Sequence, residues 1–299
     1  MTREEFQRLT QGKIFYMDGA TGSNLYLSGM PRGICPEQWI LENPQVLERL
    51  QKAYVDAGSQ MVYASTFGSN RASLSLHGLE GKVEDMNKRL VELSLKAVGD
   101  RALVAGDVSP TGKILVSQGG DTQVDELFEI YREQISYLVE AGVDLIGAET
   151  MMSVEECMVA LDAALSVCDL PVICTLSFEA DGTALYGGNA LEAVETLQAM
   201  GASAVGLNCS VGPDQLVSVV QNMSRIAQVP VIAKPNAGLP LIDEKGNASY
   251  SMGPAEFARN MRKLTEAGAS IVGGCCGTTP EYIRKMKHEL EGDVWLYRG

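Results

Sequence analysis

Two rhythms alternate along the chain. Short unbroken apolar runs at 14–17, 61–68, 102–107, 144–150, 171–176, 204–209, 231–236 and 270–272 have the pattern of strands buried on both faces. Between them apolar residues return every three or four positions, predicting helices over 43–58, 82–99, 123–141, 153–167, 190–200, 213–227, 254–267 and 280–290. In the first of these, Asn43-Pro44-Gln45 opens the helix, Val46, Leu47, Leu50, Ala53 and Tyr54 form its apolar face, and Gly58 ends it.

Eight strands, each followed by a helix or by a loop leading into one, predict an α/β fold of the (β/α)₈ barrel type. No Pro/Ser-rich linker or charge block divides the 299 residues, so a single domain over 1–299 is expected, with its core at about 14–290. The rival, a doubly wound open sheet, needs a glycine-rich phosphate turn after the first strand, and Asp18-Gly19-Ala20-Thr21-Gly22 imitates that fingerprint only weakly. A short repeat favours the barrel. Ala57-Gly58, Ala141-Gly142, Met200-Gly201 and Ala267-Gly268 each read as a helix end followed by a strand, and eight residues beyond each glycine stand Thr66, Thr150, Cys209 and Cys276. These four share one register, at the height where strands leave a barrel.

Composition narrows the setting. No apolar run approaches the roughly 20 residues of a membrane span, and the charged start Met1-Thr2-Arg3-Glu4-Glu5 is helical in character rather than a signal peptide. A cytoplasmic protein is expected. The formal net charge of −14 repels phosphate backbones and argues against nucleic acid or an anionic membrane as partner. Seven irregularly spaced cysteines suggest reduced thiols rather than a disulfide framework.

Candidate chemistry concentrates in Gly273-Gly274-Cys275-Cys276-Gly277-Thr278-Thr279-Pro280, where two adjacent thiols end an apolar run and precede a helix start. Neighbouring cysteines are poorly placed to bond to each other. With Cys209, which shares the register of Cys276, they would form a three-thiolate zinc site with its fourth position open, a layout that suits an incoming thiol. The alternative is that they are small buried hydrophobes. Cys174 sits mid-strand and is assigned to the core, Cys157 and Cys168 to a helix and its end, and Cys35 to a loop.

Three acids close apolar strands. Asp18 and Glu149 facing one mouth would suit the ammonium of an amino acid, with amides from Gly19 to Gly22 receiving its carboxylate, whereas Asp107, in Asp-Val-Ser-Pro, reads as a loop or capping residue. Asn208 and Asn236 end strands and could orient a polar group. Lys234 suits either a structural ion pair with a barrel carboxylate, the preferred reading, or a Schiff-base nucleophile. His77 and His288 are read as surface residues. Trp39 in an early loop and Trp295 in the tail lie away from the strand ends, where Tyr16, Tyr63 and Phe67 are the aromatic candidates.

These residues resemble the homocysteine S-methyltransferase family. The resemblance is carried by Asp18-Gly19-Ala20-Thr21-Gly22, Ser65-Thr66-Phe67-Gly68-Ser69-Asn70, Asp107-Val108-Ser109-Pro110-Thr111-Gly112, Glu149-Thr150, Gly206-Leu207-Asn208-Cys209, Lys234-Pro235-Asn236-Ala237-Gly238 and the cysteine-pair motif. It covers nearly everything from Ile14 to Leu290 and is nearest to the homocysteine-binding barrel of cobalamin-dependent methionine synthase. It implies a zinc-dependent barrel with one catalytic Zn²⁺ on Cys209, Cys275 and Cys276, and L-homocysteine as the methyl acceptor. Asp18 and Glu149 would hold the amino group, and Gly19, Ala20, Thr21, Ser65, Thr66, Asn208 and Asn236 would line the rest of the substrate site.

One departure stands out: relatives of the methionine synthase type read Asn where this chain has Ser65. The chain also holds no Asp-x-His-x-x-Gly cobalamin motif and no second barrel for folate, so either the methyl group comes from a separate donor, with methylcobalamin on a corrinoid protein expected, or the chain is one module of a longer product. The alternatives are a small-molecule donor such as S-methylmethionine or betaine, another thiol acceptor, a non-catalytic zinc and thiol-binding barrel, or a Schiff-base aldolase using Lys234.

Overall fold

The computed structural model describes residues 1–242 and 248–292. Eight parallel strands form one sheet: β1 (Phe15–Tyr16), β2 (Met61–Tyr63), β3 (Leu103–Val108), β4 (Leu145–Met151), β5 (Val172–Leu176), β6 (Ala204–Cys209), β7 (Val231–Pro235) and, after a two-stranded antiparallel hairpin of β8 (Pro240–Ile242) and β9 (Ala248–Tyr250), β10 (Ala269–Val272). Their order is β1-β10-β7-β6-β5-β4-β3-β2, and a parallel bridge between Met17 and Met61 joins the two ends. This is the expected (β/α)₈ barrel.

Alternation of side chains across each strand separates two apolar layers. Phe15, Met17, Met61, Tyr63, Ala105, Leu145, Ile173, Ala204, Ile232 and Ile271 belong to one cluster and fill the barrel. Their neighbours Tyr16, Val62, Val104, Ile146, Val172, Cys174, Val205 and Val231 join the cluster shared with the surrounding helices. The N-terminal helix α1 (Arg3–Thr10) starts at a capping box of Thr2 and Glu5 and adds Phe6 to the inner cluster, edge-on to Phe15 at 6.5 Å.

The stretch between β1 and β2, expected to be a loop before its one helix, holds three helices: α2 (Gly22–Leu27), α3 (Pro36–Glu42) and α4 (Pro44–Ala57). Pro36 at the first helical position starts α3, and Ile40 packs with Leu25, Met30 and Leu47, so Trp39 lies on a helix rather than in a loop. Trp295 falls outside the described residues. The remaining helices are α5 (Arg71–Ser75), α6 (Val83–Val98), α7 (Val124–Glu140), α8 (Val154–Val167), α9 (Ala190–Met200), α10 (Val217–Ile226), α11 (Pro254–Glu266) and α12 (Pro280–Glu291). The repeat glycines Gly58, Gly142, Gly201 and Gly268 all have φ between 90° and 116°, the left-handed conformation that ends a helix and that glycine adopts without strain.

The second strand is shorter than its apolar run suggests, because the chain turns at Ala64, where Thr66 N–H donates to the Ala64 carbonyl (2.7 Å). Cys157 and Cys174 are buried in the outer layer, while His77 and His288 are exposed, as read from the sequence. Among the described residues no helix is long and apolar enough to cross a membrane. Because Phe6 is 1% exposed and joins the inner layer from outside the strands, Phe6→Ala is expected to lower stability by about 3 kcal/mol or more. Urea denaturation checks this, with the far-UV spectrum of the folded variant unchanged.

Candidate thiol and metal site

All eight barrel strands point the same way, so their C-terminal ends share one mouth. A cavity of about 290 Å³ opens there, lined by residues from seven of those ends, among them Asp18, Tyr63, Asp107, Glu149, Cys209, Lys234, Cys275 and Cys276.

Cys209 ends β6, and Cys275 and Cys276 follow β10. The backbone fixes the pair: Cys275 N–H donates to Pro235 O (2.8 Å), Ala237 N–H to Cys276 O (2.9 Å), and the Thr278 hydroxyl to Cys275 O (2.7 Å). The three sulfurs lie within 4.8 Å of one another, with Cys209 and Cys276 at 3.9 Å. Among the described residues this is the one group of three or more metal-ligating side chains so arranged. Such close thiols cannot ionise independently. Hydrogen bonds from Cys209 and Cys275 hold the Cys276 thiol down to about 3, while Cys209 is pushed well up, chiefly by donating to Cys275 and then Cys276.

The turn that carries Cys209 is strained, as is the neighbouring strand end at Thr150. Thr150, Cys209 and Ser210 are the non-glycine residues with positive φ among those described, at 59°, 63° and 61°. Two asparagines brace them. Asn208 exchanges hydrogen bonds with Thr150 (Nδ2 to Oγ1, 2.6 Å; Thr150 N–H to Oδ1, 2.9 Å), and Asn236 Nδ2 donates to Ser210 O (2.9 Å). Both asparagines are buried, and Asn208 Nδ2 also lies 3.7 Å from Cys275 Sγ.

The other end of the cavity is acidic. Lys234, on β7, donates to Asp18 Oδ1 (2.8 Å), sits over the Tyr63 ring (4.3 Å) and lies 4.0 Å from Glu149 Oε2. Burial works against its ammonium, but Asp18 and Glu149 outweigh it and keep its pKa raised. Lys234 is therefore in the ion pair expected of it. Asp107, expected to cap or brace a loop, instead faces this cavity, 3% exposed. It does so because Thr66, 0% exposed, turns from the mouth to brace the Asp107 backbone (Oγ1 to Asp107 O, 2.8 Å; Asp107 N–H to Oγ1, 3.1 Å). Burial pushes the carboxyl of Asp107 well up, with Glu149 adding to the effect, and burial lifts Glu149 to about 8 against the pull of Lys234, with Cys275 and Asp18 adding to the rise.

Of the remaining expected site residues, Gly19, Ala20, Thr21 and Ser65 line the cavity. The Ala20 amide is taken by Thr278 Oγ1 (3.1 Å), and the buried Ser65 hydroxyl has no partner among the described residues. Three contributors lay outside the sequence reading. Glu37 of α3 lines the cavity, accepts from Gly68 N–H (2.7 Å) and takes the Cys35 thiol (3.3 Å). Tyr250 of the β8–β9 hairpin lies so close over Gly277 that a Cβ there would stand 2.3 Å from its ring, and its hydroxyl faces Cys276. Asp107 is the third. A Pro at N1 after Cys35 was a signal for α3; a three-residue strand carrying Tyr250 gives none.

A (β/α)₈ barrel with three converging thiols and a buried acid cluster at its mouth defines the class. The chain belongs to the homocysteine S-methyltransferase family, whose model matches residues 15–290, and so to a family of methyltransferase enzymes. It is 29% identical over 292 residues to methionine synthase of Mycobacterium leprae, a match covering 92% of this chain and 24% of that protein. The chain thus spans about a quarter of the length of this curated relative. Its fold is that of the homocysteine methyltransferase MmuM from Escherichia coli, in the oxidised form (TM-score 0.79, 23% identity, 94% of this chain and 98% of that one) and the metallated form (TM-score 0.78, 23% identity, 94% and 97%).

The raised pKa of Glu149 has a stability consequence. The folded protein keeps its proton up to about pH 8, whereas the unfolded chain releases it near 4.3. The folded state therefore binds more protons between these values, and stability is full below the lower one and falls as pH rises through the upper. In metal-free, ligand-free protein, Glu149→Gln should remove this slope and raise stability at pH 8.5 by up to roughly 5 kcal/mol. Urea denaturation at pH 5 and pH 8.5 measures both.

Proposed function

We propose that the 299 residues act as one homocysteine-binding barrel that transfers a methyl group to the sulfur of L-homocysteine, giving methionine, with one Zn²⁺ on Cys209, Cys275 and Cys276. The observation that carries this reading is the convergence of three thiols from two strand ends at one end of a small cavity whose other end is acidic. An amino acid with a side-chain thiol has matching ends.

The donor set fits zinc: three sulfurs within 4.8 Å and no imidazole among them. Bound there, zinc would favour the thiolate form of an acceptor sulfur at neutral pH. The chain's own residues do the rest. Asn208 and Asn236 hold the turns that aim the sulfurs, the amides around Gly19 and Thr21 receive the acceptor's carboxylate, and the acid cluster with Asp18 and Glu149 takes its ammonium. Ser65 and Phe67 border the approach of the donor. In the transfer the new S–CH₃ bond forms as the donor's bond to methyl breaks, the thiol proton having already left to solvent. Reduced thiols are needed, all seven cysteines are free, and a reducing cytoplasm suits the protein.

A methylated corrinoid protein is our preferred donor. The preference rests on the likeness to methionine synthase, with Leu27, Phe67, Leu76, Val116, Leu185 and Leu239, exposed on connections that leave the mouth ends of strands, as candidate contacts. A betaine-type quaternary ammonium calls for an aromatic cage, yet Tyr63 and Phe67 are the aromatic residues lining the cavity, and Tyr63 already underlies Lys234.

Cys209→Ala is expected to lose most bound zinc, as measured by elemental analysis after gel filtration; full occupancy would refute the three-thiol site. Zinc-edge absorption spectroscopy should show a fourth sulfur at about 2.3 Å when L-homocysteine is added. An unchanged shell would count against thiol activation. Offered methylated corrinoid protein, methylcobalamin, betaine or S-methylmethionine separately, the protein should turn over fastest with a cobalamin form, and with the corrinoid protein the rate should fall as salt rises.

A further inference from the structure

Asn208 stands on β6 one residue before Cys209 and is 1% exposed. Its amide can be assigned atom by atom. The Thr150 N–H can only donate, so the atom it meets at 2.9 Å is Oδ1, and Nδ2 is the end that faces Thr150 Oγ1 (2.6 Å) and Cys275 Sγ (3.7 Å). Bracing the strand end at Thr150 uses Oδ1 and one of the two Nδ2 hydrogens. The second hydrogen is surplus to the brace, and burial keeps it from solvent.

We infer that Asn208 gives this second N–H to the sulfur of Cys275 and is thereby a positioning residue of the metal centre, not a brace alone. The assignment rests on the reading of the three thiols as a zinc site. A neutral thiol is a weak acceptor and an ionised one a strong acceptor. Cys275 must be a thiolate to hold a metal, so the contact strengthens when the site is loaded, and 3.7 Å is within reach of sulfur, a larger acceptor than oxygen. Polar neighbours that fix the direction of a metal ligand and tune its basicity are a regular part of metal sites.

Two further observations support the donor at this sulfur. Cys275 raises the pKa of both Glu149 and Lys234, so its negative charge is felt across the cavity, and a hydrogen bond draws part of that charge off. Thr150, although β-branched, keeps a left-handed backbone at φ 59°. In that conformation its N–H meets Oδ1, which forbids the flipped amide that would turn a carbonyl oxygen toward the thiolate.

The test loads reduced wild type, Asn208→Leu and Thr150→Val with Co²⁺ and, separately, with Zn²⁺. Leucine is close to asparagine in size and cannot donate, whereas Thr150→Val removes the hydroxyl partner of Nδ2 but leaves the backbone bond to Oδ1 and the donor itself. In Asn208→Leu the sulfur-to-cobalt charge-transfer band should move to longer wavelength, because a sulfur without its hydrogen bond gives up electron density more readily. Zinc should be held about tenfold more weakly in competition with a chelator. Thr150→Val should melt at a lower temperature with its band and zinc affinity as in wild type. Asn208→Ser, too short to reach the sulfur, carries the comparison if the leucine variant does not fold. A band unmoved in the Asn208 variants, or moved equally in Thr150→Val, overturns the assignment and leaves Asn208 a brace. If wild type takes up neither metal, the zinc reading itself fails and the assignment falls with it.

Discussion

A lysine ammonium buried at the mouth of an apolar barrel cannot stand alone, and the arrangement around it follows from that constraint. Lys234 and Asp18 are each 3% exposed at the side chain and meet at 2.8 Å. Asp18 also closes the weakest seam of the barrel. Strands β1 and β2 share one bridge, Met17 to Met61, and side chains complete the ladder on either side of it. Asp18 Oδ2 takes the Tyr63 amide (2.9 Å), while Gln60 Oε1 takes the Tyr16 amide (3.0 Å). One carboxylate thus ties β1 to β2 by its side chain and to β7 through Lys234. Its carbonyl binds Gly274 N–H (3.0 Å), which fixes the segment entering Cys275.

Strain is concentrated where the thiols are. Left-handed backbone at a non-glycine residue is disfavoured by about 1–3 kcal/mol, and Thr150, Cys209 and Ser210 each adopt it beside the cavity. The bracing comes from Asn208 and Asn236, whose amides bond to these turns instead of to solvent. That explains why two buried amides stand at strand ends, where an apolar residue would fill the space equally well. Their bonds fix the backbone at Thr150 and at Ser210, next to Cys209. Glycine at the same turns would relieve the strain but would remove the Cys209 thiol.

The barrel and the thiol group were legible in the sequence because both are written in period. Each strand is an unbroken apolar run, four of the preceding helices end at a glycine, and eight residues separate that glycine from Cys209 and from Cys276, which puts both thiols at one height. Thr66 shows where that register stops being informative. The chain turns at Ala64, and Thr66 bonds to the Asp107 backbone instead of entering the mouth. Asp107 was misread for the reverse reason, since Asp-Val-Ser-Pro has the composition of a loop brace although the residue lies within β3, facing inward. Helix α3 and the Tyr250 hairpin hid in stretches rich in Gly and Pro, where local pattern is weak and packing against Ile40 or Gly277 decides the outcome.

Charge links the two ends of the cavity. Three thiolates, Asp18, Asp107 and Glu149 would place six negative charges around the single lysine, an imbalance that a low-dielectric site does not sustain. Protons relieve it first: the thiols share theirs, and Asp107 and Glu149 rise well above the usual carboxylate range. Each proton that leaves must then be replaced by another positive group, a divalent metal at the sulfurs and an ammonium at the carboxyls. Cys275 raises the pKa of Glu149, so neutralising the sulfur end with a metal lowers the barrier to ionising the acid end. Under the proposed function, metal occupancy and recognition of a cationic ligand would therefore be coupled through the field of the site.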